Sequence, residues 1–314
     1  MNQPIFLQPV FQERIWGGTK LKELFGYEIP NDHTGECWAV SAHPNGQSVV
    51  KNGPYKGIPL GELWNAHPEL FCSESAVFPL LTKILDASDD LSVQVHPDDE
   101  YAGKHENGEL GKTECWYIVD AEPGAAIIYG HEAETKEQLI QMIQDGRWNE
   151  LLTKVPVKRG DFFYVPSGTI HALGKGIVVL ETQQSSDTTY RVYDYDRRDK
   201  DGNLRDLHLE KAIDVTTVPQ AYEPVTYTTK DSSGLSVTTF VSNAFFTVEK
   251  WTVSGTAQAP ANAKYTICSV LEGSGRLHAQ GVEYPLAKGE HFILPVDFGP
   301  YTLEGDLMLI ISHE

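Results

Sequence analysis

The residues from Gly160 to His171 constrain this chain more tightly than any other stretch of it. They follow the pattern Gly160-x5-Pro166-x-Gly168-x2-His171. Gly160 supplies the backbone freedom of a tight turn. Asp161 to Val165 then reads as a strand, and Pro166 ends it by withholding a donor from the ladder. Gly168 allows a second tight turn, and His171 opens the returning strand. This unit sets an imidazole at the rim of a β-barrel, where it can ligate a metal.

A related unit lies further along. Glu283 to Gly299 (EYPLAKGEHFILPVDFG) resembles Val155 to Gly168 (VPVKRGDFFYVPSG). Gly289 and Pro295 repeat the spacing of Gly160 and Pro166. Lys288 and Pro285 match Arg159 and Pro156. Each unit follows a strand that ends in an acid-and-glycine turn, WYIVDAEPG in one case and CSVLEGSG in the other. Internal similarity of this kind indicates repeated architecture. The second copy runs VDFGPY and has no histidine where the first has His171. One barrel therefore reads as active and the other as structural. Their expected extents are 1–220 and 234–314, joined by a linker at Ala221 to Ser233.

The rest of the chain agrees with an all-β fold. The 27 glycines and 18 prolines punctuate short runs such as SVQV, ECWYIV, DFFYVP, GIVVLETQ and HFILP. Three segments read as helical: Gly61 to Leu70, Lys136 to Leu152 and Leu207 to Val215. In the second, Leu139, Met142, Ile143 and Leu151 form one apolar stripe, with Gly146 as a break. No apolar run nears the roughly 20 residues that cross a bilayer. The N-terminus shows no secretory pattern, and Cys37, Cys72, Cys115 and Cys268 include no CxxC pair. A reduced, cytoplasmic protein is expected. Its net charge of -19 argues against nucleic acid and anionic membranes as partners.

Upstream of the turn, Gln94 and His96 stand two apart in SVQVHP and share a strand face. Glu114 shares a face with Trp116 and Ile118, where an uncompensated carboxylate is costly. With His171 they supply an amide oxygen, two imidazoles and a carboxylate. That set suits Zn²⁺ with a position left open, and equally suits non-haem Fe(II). His43 and His67 sit in His-Pro pairs that read as turns, and His105 lies in a polar loop. His131, His208, His278, His291 and His313 have no supporting spacing. Glu181, ten residues past His171, shares its face by simple alternation. Lys112, Arg191, Arg197 and Arg198 form the cationic cluster that an anionic substrate would need in so acidic a chain.

The turn resembles the metal-binding turn of cupin barrels, so two jelly-roll-like cupin barrels with a few short helices are expected. More specifically, RIWGG (14–18), LSVQVHPDDEYA (91–102), KTECWYI (112–118), VPSGTIHAL (165–173) and the run to YRVYDYDR (190–197) resemble type I phosphomannose isomerases. The resemblance implies a zinc enzyme that interconverts mannose 6-phosphate and fructose 6-phosphate. It implies metal ligation by Gln94, His96, Glu114 and His171, a catalytic Arg191, and substrate contacts from Ser92, Lys112, Glu181, Asp187 and Arg197. Lacking the extra helical domain of longer members, the chain resembles the compact bacterial form, monomeric or weakly oligomeric. Lys112, Glu181 and Asp187 all remain open as the general base. An Fe(II) dioxygenase and a non-catalytic sugar-binding cupin are the rival readings.

Overall fold

Short runs of β-branched and aromatic residues, cut at close intervals by glycine and proline, pair into three antiparallel sheets. The computed structural model describes residues 3–198, 201–220, 225–260 and 264–314. Two sheets build the first barrel. One has six strands, in the order Phe162–Val165, Glu114–Ala121, Ile177–Gln184, Leu80–Ala87, Thr34–Val40 and Val10–Gly18. The other has five, in the order Tyr190–Tyr193, Val93–Val95, His171–Ala172, Ala126–His131 and Leu152–Pro156. Between them pack Trp16, Leu85, Trp116, Ile118, Leu173 and Val179. A nine-stranded sheet makes the second barrel, and the protein is mostly β with a few short helices, as expected. Among the described residues no helix is long and apolar enough to cross a membrane.

The repeat is visible bond by bond. Gly160 donates to the Ile118 carbonyl at 2.9 Å, and Gly289 donates to Val270 at 2.9 Å. Ile118 donates back to Asp161, as Val270 does to Glu290. The Asp161 carboxylate accepts from the Lys158 amide, as Glu290 accepts from Ala287. Both glycines have left-handed φ, 90° and 87°. Register then assigns equivalents: Val165 faces Glu114, and Leu294 faces Thr266. Thr266 thus stands where the first barrel has Glu114, and Pro300 where it has His171. The second interior is filled with apolar side chains, among them Trp251, Leu277, Phe292 and Leu309.

Chain ends and barrels interlock more than the expected division suggests. The first strand, Ile5–Gln8, pairs with His291–Leu294 of the second sheet, with Ile5 opposite Ile293. One core contains Phe78, Tyr117 and Phe162 from the first barrel with Phe240, Tyr265 and Ile293 from the second. Phe162 and Phe240 stack across it, 4.5 Å between centroids and 8° from parallel. Such a pair adds about 0.5–1.5 kcal/mol beyond its buried area. The expected linker also needs correction. Residues 221–224 lie outside the described residues, but Thr228–Ser232 is a strand paired with Leu235–Ser242. It is an exposed edge, and Lys230 and Asp231 supply the charges that keep such edges from pairing further.

The helical expectations hold with shifted limits. Lys136 to Leu152 divides into Lys136–Gln144 and Trp148–Leu151, broken at Gly146 with φ 65°. The Thr135 hydroxyl caps the first by accepting from Gln138, and all four stripe residues are buried. Gly61 to Leu70 contains the helix Leu60–Ala66 and a 3-10 turn at Pro68–Leu70, while Leu209–Val215 forms the third. Lys20–Phe25 and Asp99–His105 are helices that periodicity did not reveal. His105, expected in a polar loop, ends the latter and stacks on Tyr101.

One buried histidine ties the barrels together and makes the fold acid-sensitive. His291 lies 2.9 Å from the Ser269 hydroxyl and 2.9 Å from the Tyr27 hydroxyl, which itself donates to the Gly289 carbonyl. Burial, with a smaller contribution from Lys51, pushes its pKa down to about 3. The unfolded chain therefore binds a proton below its ordinary value, near 6.5, that the folded chain refuses. Stability is retained above that pH and is lost as pH falls from about 6.5 towards 3. The expected slope from this group is about 1.4 kcal/mol per pH unit. Denaturant unfolding at a series of pH values checks it, since His291→Gln reduces the acid slope by about one proton.

Candidate metal centre and active site

Local geometry explains how the glycine-rich turn delivers His171. Gly168 has φ 82°, and a Cβ there would sit 2.5 Å from Thr217 Oγ1. Its N–H donates to the His96 carbonyl at 2.9 Å, which fastens the turn to the second histidine. His171 then pairs with Gln94 on one side and Tyr129 on the other. Arg191 pairs with Gln94 from the opposite edge. Directly paired residues face the same way, so His171, Gln94 and Arg191 form one row on the inner face. Glu114 enters from the six-stranded sheet.

These residues meet at a point. His96, Glu114 and His171 are buried, and one ligand atom from each lies within 4.8 Å of the others. Glu114 Oε2 is 3.5 Å from His96 Nε2, and Oε1 is 3.4 Å from His171 Nε2. His96 Nδ1 binds the Thr188 carbonyl at 2.9 Å, and His171 Nδ1 binds Thr169 at 2.8 Å. A carbonyl only accepts, so both Nδ1 atoms carry the proton and both Nε2 lone pairs point at the centre. Burial lowers the pKa of His171 to about 4 and that of His96 well below its ordinary value, with Lys112 acting in the same direction on both. Both rings are neutral, as ligands must be.

Two orphaned atoms indicate what is wanted there. His96 Nε2 and Glu114 Oε1 are buried with no hydrogen-bond partner. A metal cation satisfies both at once, whereas leaving them unpaired costs about 1–3 kcal/mol each or more. Gln94 Nε2 lies 3.4 Å from His171 Nε2, and a half-turn of that amide presents its oxygen instead. The four expected ligands are therefore assembled together.

The other expected residues separate into groups. Lys112 is buried, with Nζ 3.1 Å from Glu114 Oε2. Burial opposes its charge, but Glu114, Glu181 and Asp187 outweigh burial and raise its pKa. Ser92 is buried and lies 3.4 Å from Arg191 Nε. Arg191 also donates to the Asp206 carbonyl at 2.7 Å. Asp187 accepts from Asn45 at 3.0 Å. Glu181 does not share a strand with His171. It lies in Ile177–Gln184 of the other sheet and reaches the interior beside Trp116, whose indole donates to it at 3.0 Å. Arg197 is tied to Asp194 at 2.7 Å and to the Asp90 carbonyl at 2.7 Å. Arg198 is exposed and donates to Gly202 at 2.6 Å. Of the four expected cations, Lys112 and Arg191 have direct contacts to site residues.

Sequence reasoning missed a buried charge network behind the centre. Lys83 sits 3.8 Å from Glu181 Oε1 and 3.9 Å from Glu36 Oε2, with its ammonium 4.7 Å from the Trp38 ring centroid. Burial works against Glu36 ionisation, but Lys83 and Arg14 overcome it and hold the pKa low. Burial and then Glu114 push Glu181 up, against Lys112 and Lys83. His43, expected as a plain turn residue, is also buried with Nε2 unpartnered, edge-on to Trp38. A charged residue inside a fully buried apolar strand, as in LLTKILDA and TGECWAV, was the available signal.

An all-β protein in which one barrel gathers His96, Glu114 and His171 and the other is filled with apolar side chains has the architecture of a two-barrel cupin with a candidate metal site. Residues 5–120 match the phosphomannose isomerase type I catalytic domain, and residues 236–314 match the mannose-6-phosphate isomerase cupin domain. The chain is 58% identical to mannose-6-phosphate isomerase ManA of Bacillus subtilis, over 99% of each. It is 58% identical to the mannose-6-phosphate isomerase of Streptococcus mutans, over 100% of this chain and 99% of that one. A crystal structure of the Bacillus subtilis mannose 6-phosphate isomerase superposes with a TM-score of 0.98 at 54% identity, covering all of both chains. The chain belongs to the type I phosphomannose isomerase family.

Proposed function

We infer that this chain is a metal-dependent aldose–ketose isomerase that interconverts mannose 6-phosphate and fructose 6-phosphate. The observation that carries this is the neutral two-histidine, one-carboxylate centre beside Lys112 and Arg191, in a chain related end to end to mannose-6-phosphate isomerases. Gln94, His96, Glu114 and His171 hold the metal in this reading, and Zn²⁺ fits the donor set. Family membership favours this activity over a dioxygenase or a non-catalytic sugar-binding cupin. Four unpaired thiols and the phosphorylated substrate accord with a cytoplasmic location, and a monomer or weak oligomer suffices.

The reaction moves a proton between neighbouring carbons through an enediol(ate). When bound, a divalent cation supplies Lewis acidity that lowers the cost of negative charge on substrate oxygens. A base must accept the proton. Glu181 meets the requirement best of the three candidates. Its Oε1 is buried without a hydrogen-bond partner, and burial with Glu114 raises its pKa towards working pH. Lys112 and Asp187 then serve substrate binding, with Ser92 beside Arg191 and Arg197 at the edge. Arg191 places a guanidinium in the row formed by His171 and Gln94, where it stabilises developing charge.

Incubating the purified protein with mannose 6-phosphate and assaying fructose 6-phosphate tests the reading. Product is expected with the phosphorylated sugar and little with free mannose; no product from metal-replete protein would overturn it. Arg191→Ala should cut kcat by about 10²–10³-fold, in the range of a lost transition-state donor, with metal content unchanged. Near-normal turnover in that variant would remove Arg191 from the mechanism.

A further inference from the structure

The helical insert carries a face that none of the metal ligands lines and that adjoins Arg197 through Tyr195 and Asp90. Trp148, in its second helix, stacks on Tyr193 with centroids 4.4 Å apart and rings 16° from parallel. Tyr195 lies 4.8 Å from Tyr193, tilted by 56°. The three rings border a cleft of about 860 Å³ that also includes Asn149, Lys154 and Lys175. None of the four metal ligands lines it, nor does Arg191. The cleft lies on the reverse of the five-stranded sheet. Ile128 lines it and pairs with Ala172, while their neighbours Tyr129 and His171 form the next row, which faces inward.

Size, rings and charge together define what fits. A cleft of this volume is in the range that holds drug-sized ligands, well above what a hexose phosphate fills. Aromatic platforms stack planar bases, at about 1–3 kcal/mol per base. Lys154 and Lys175 are exposed, and neither pairs with a carboxylate among the described residues. One carboxylate, Asp90, lines the cleft with them, accepting from the Lys175 amide at 2.8 Å, and Lys175 also acts on Glu122; two lysines against one carboxylate still leave the lining net positive in a chain of net charge -19. They suit phosphate oxygens. We propose that this cleft binds a nucleoside diphosphate, with the base on the Trp148–Tyr193–Tyr195 platform and the phosphates on Lys154 and Lys175.

Titrating ADP and GDP into the full-length, metal-replete protein tests this, followed by calorimetry and tryptophan fluorescence. Saturable binding with Kd below about 1 mM is expected. Fluorescence quenching should accompany it and largely disappear in Trp148→Phe. The double variant Lys154→Gln/Lys175→Gln should weaken binding roughly tenfold or more, with mannose 6-phosphate turnover unchanged. Tyr195→Asn should also weaken it, since asparagine tolerates the left-handed φ of 57° while removing the ring. Competition by mannose 6-phosphate would place the nucleotide in the barrel interior and overturn the proposal. Absence of saturable binding, or binding indifferent to the lysine pair, would overturn it equally.

Discussion

Replacing His171 with alanine should abolish measurable metal retention and lower isomerisation by about 10³-fold or more. Two neutral imidazoles and one carboxylate converge within 4.8 Å, and removing His171 leaves a carboxylate, a single ring and the weak Gln94 amide. Lewis acid stabilisation is worth several kcal/mol, and about 4 kcal/mol corresponds to a thousandfold in rate. His96→Gln should give a similar loss, because its Nε2 is orphaned without a cation. Elemental analysis and turnover measured on the same preparations check both variants. A His171→Ala protein that kept stoichiometric metal and substantial turnover would show that the centre lies elsewhere.

Lys83→Met should destabilise the fold by about 3–5 kcal/mol, the cost of breaking a buried ion pair from one side. The methionine keeps most of the apolar stem but removes the ammonium from between Glu36 and Glu181. Glu36 retains Arg14, whose guanidinium is 2.9 Å away. Glu181 retains the Trp116 indole but loses its nearest described cation. Lys112 still acts on that carboxylate, but the ion pair is lost, and its pKa should rise further. Adding Glu181→Gln should recover about 1–3 kcal/mol, a coupling typical of directly interacting groups. Urea unfolding of the two single variants and the double variant measures this. A single variant within about 0.5 kcal/mol of the parent would mean that the network contributes little.

The turn from Gly160 to His171 was readable because its information is local. Gly160, Pro166, Gly168 and His171 each fix a backbone feature within one stretch, and the degenerate copy kept the turn while losing the histidine. Gln94, His96 and Glu114 were readable because alternation gives the facing of a strand. Alternation failed where a strand ended. Counting from His171 to Glu181 assumed one continuous strand, yet the two lie in different sheets, and Glu181 faces inward through its pairing with Trp116. Lys83, Glu36 and Trp38 were missed because only cross-strand register brings them together. Likewise the pairing of Ile5–Gln8 with a strand nearly three hundred residues away leaves no local trace. TTKDS read as a linker because edge strands carry the polar residues that linkers also favour.

A metal titration of activity tests the proposed centre most directly. The protein is stripped with a chelator, dialysed, and assayed for conversion of mannose 6-phosphate to fructose 6-phosphate as Zn²⁺ is added back. Negligible turnover is expected in the stripped protein, with recovery that saturates at one metal per chain and no recovery in His171→Ala. Full activity in protein shown by elemental analysis to be metal-free would contradict it.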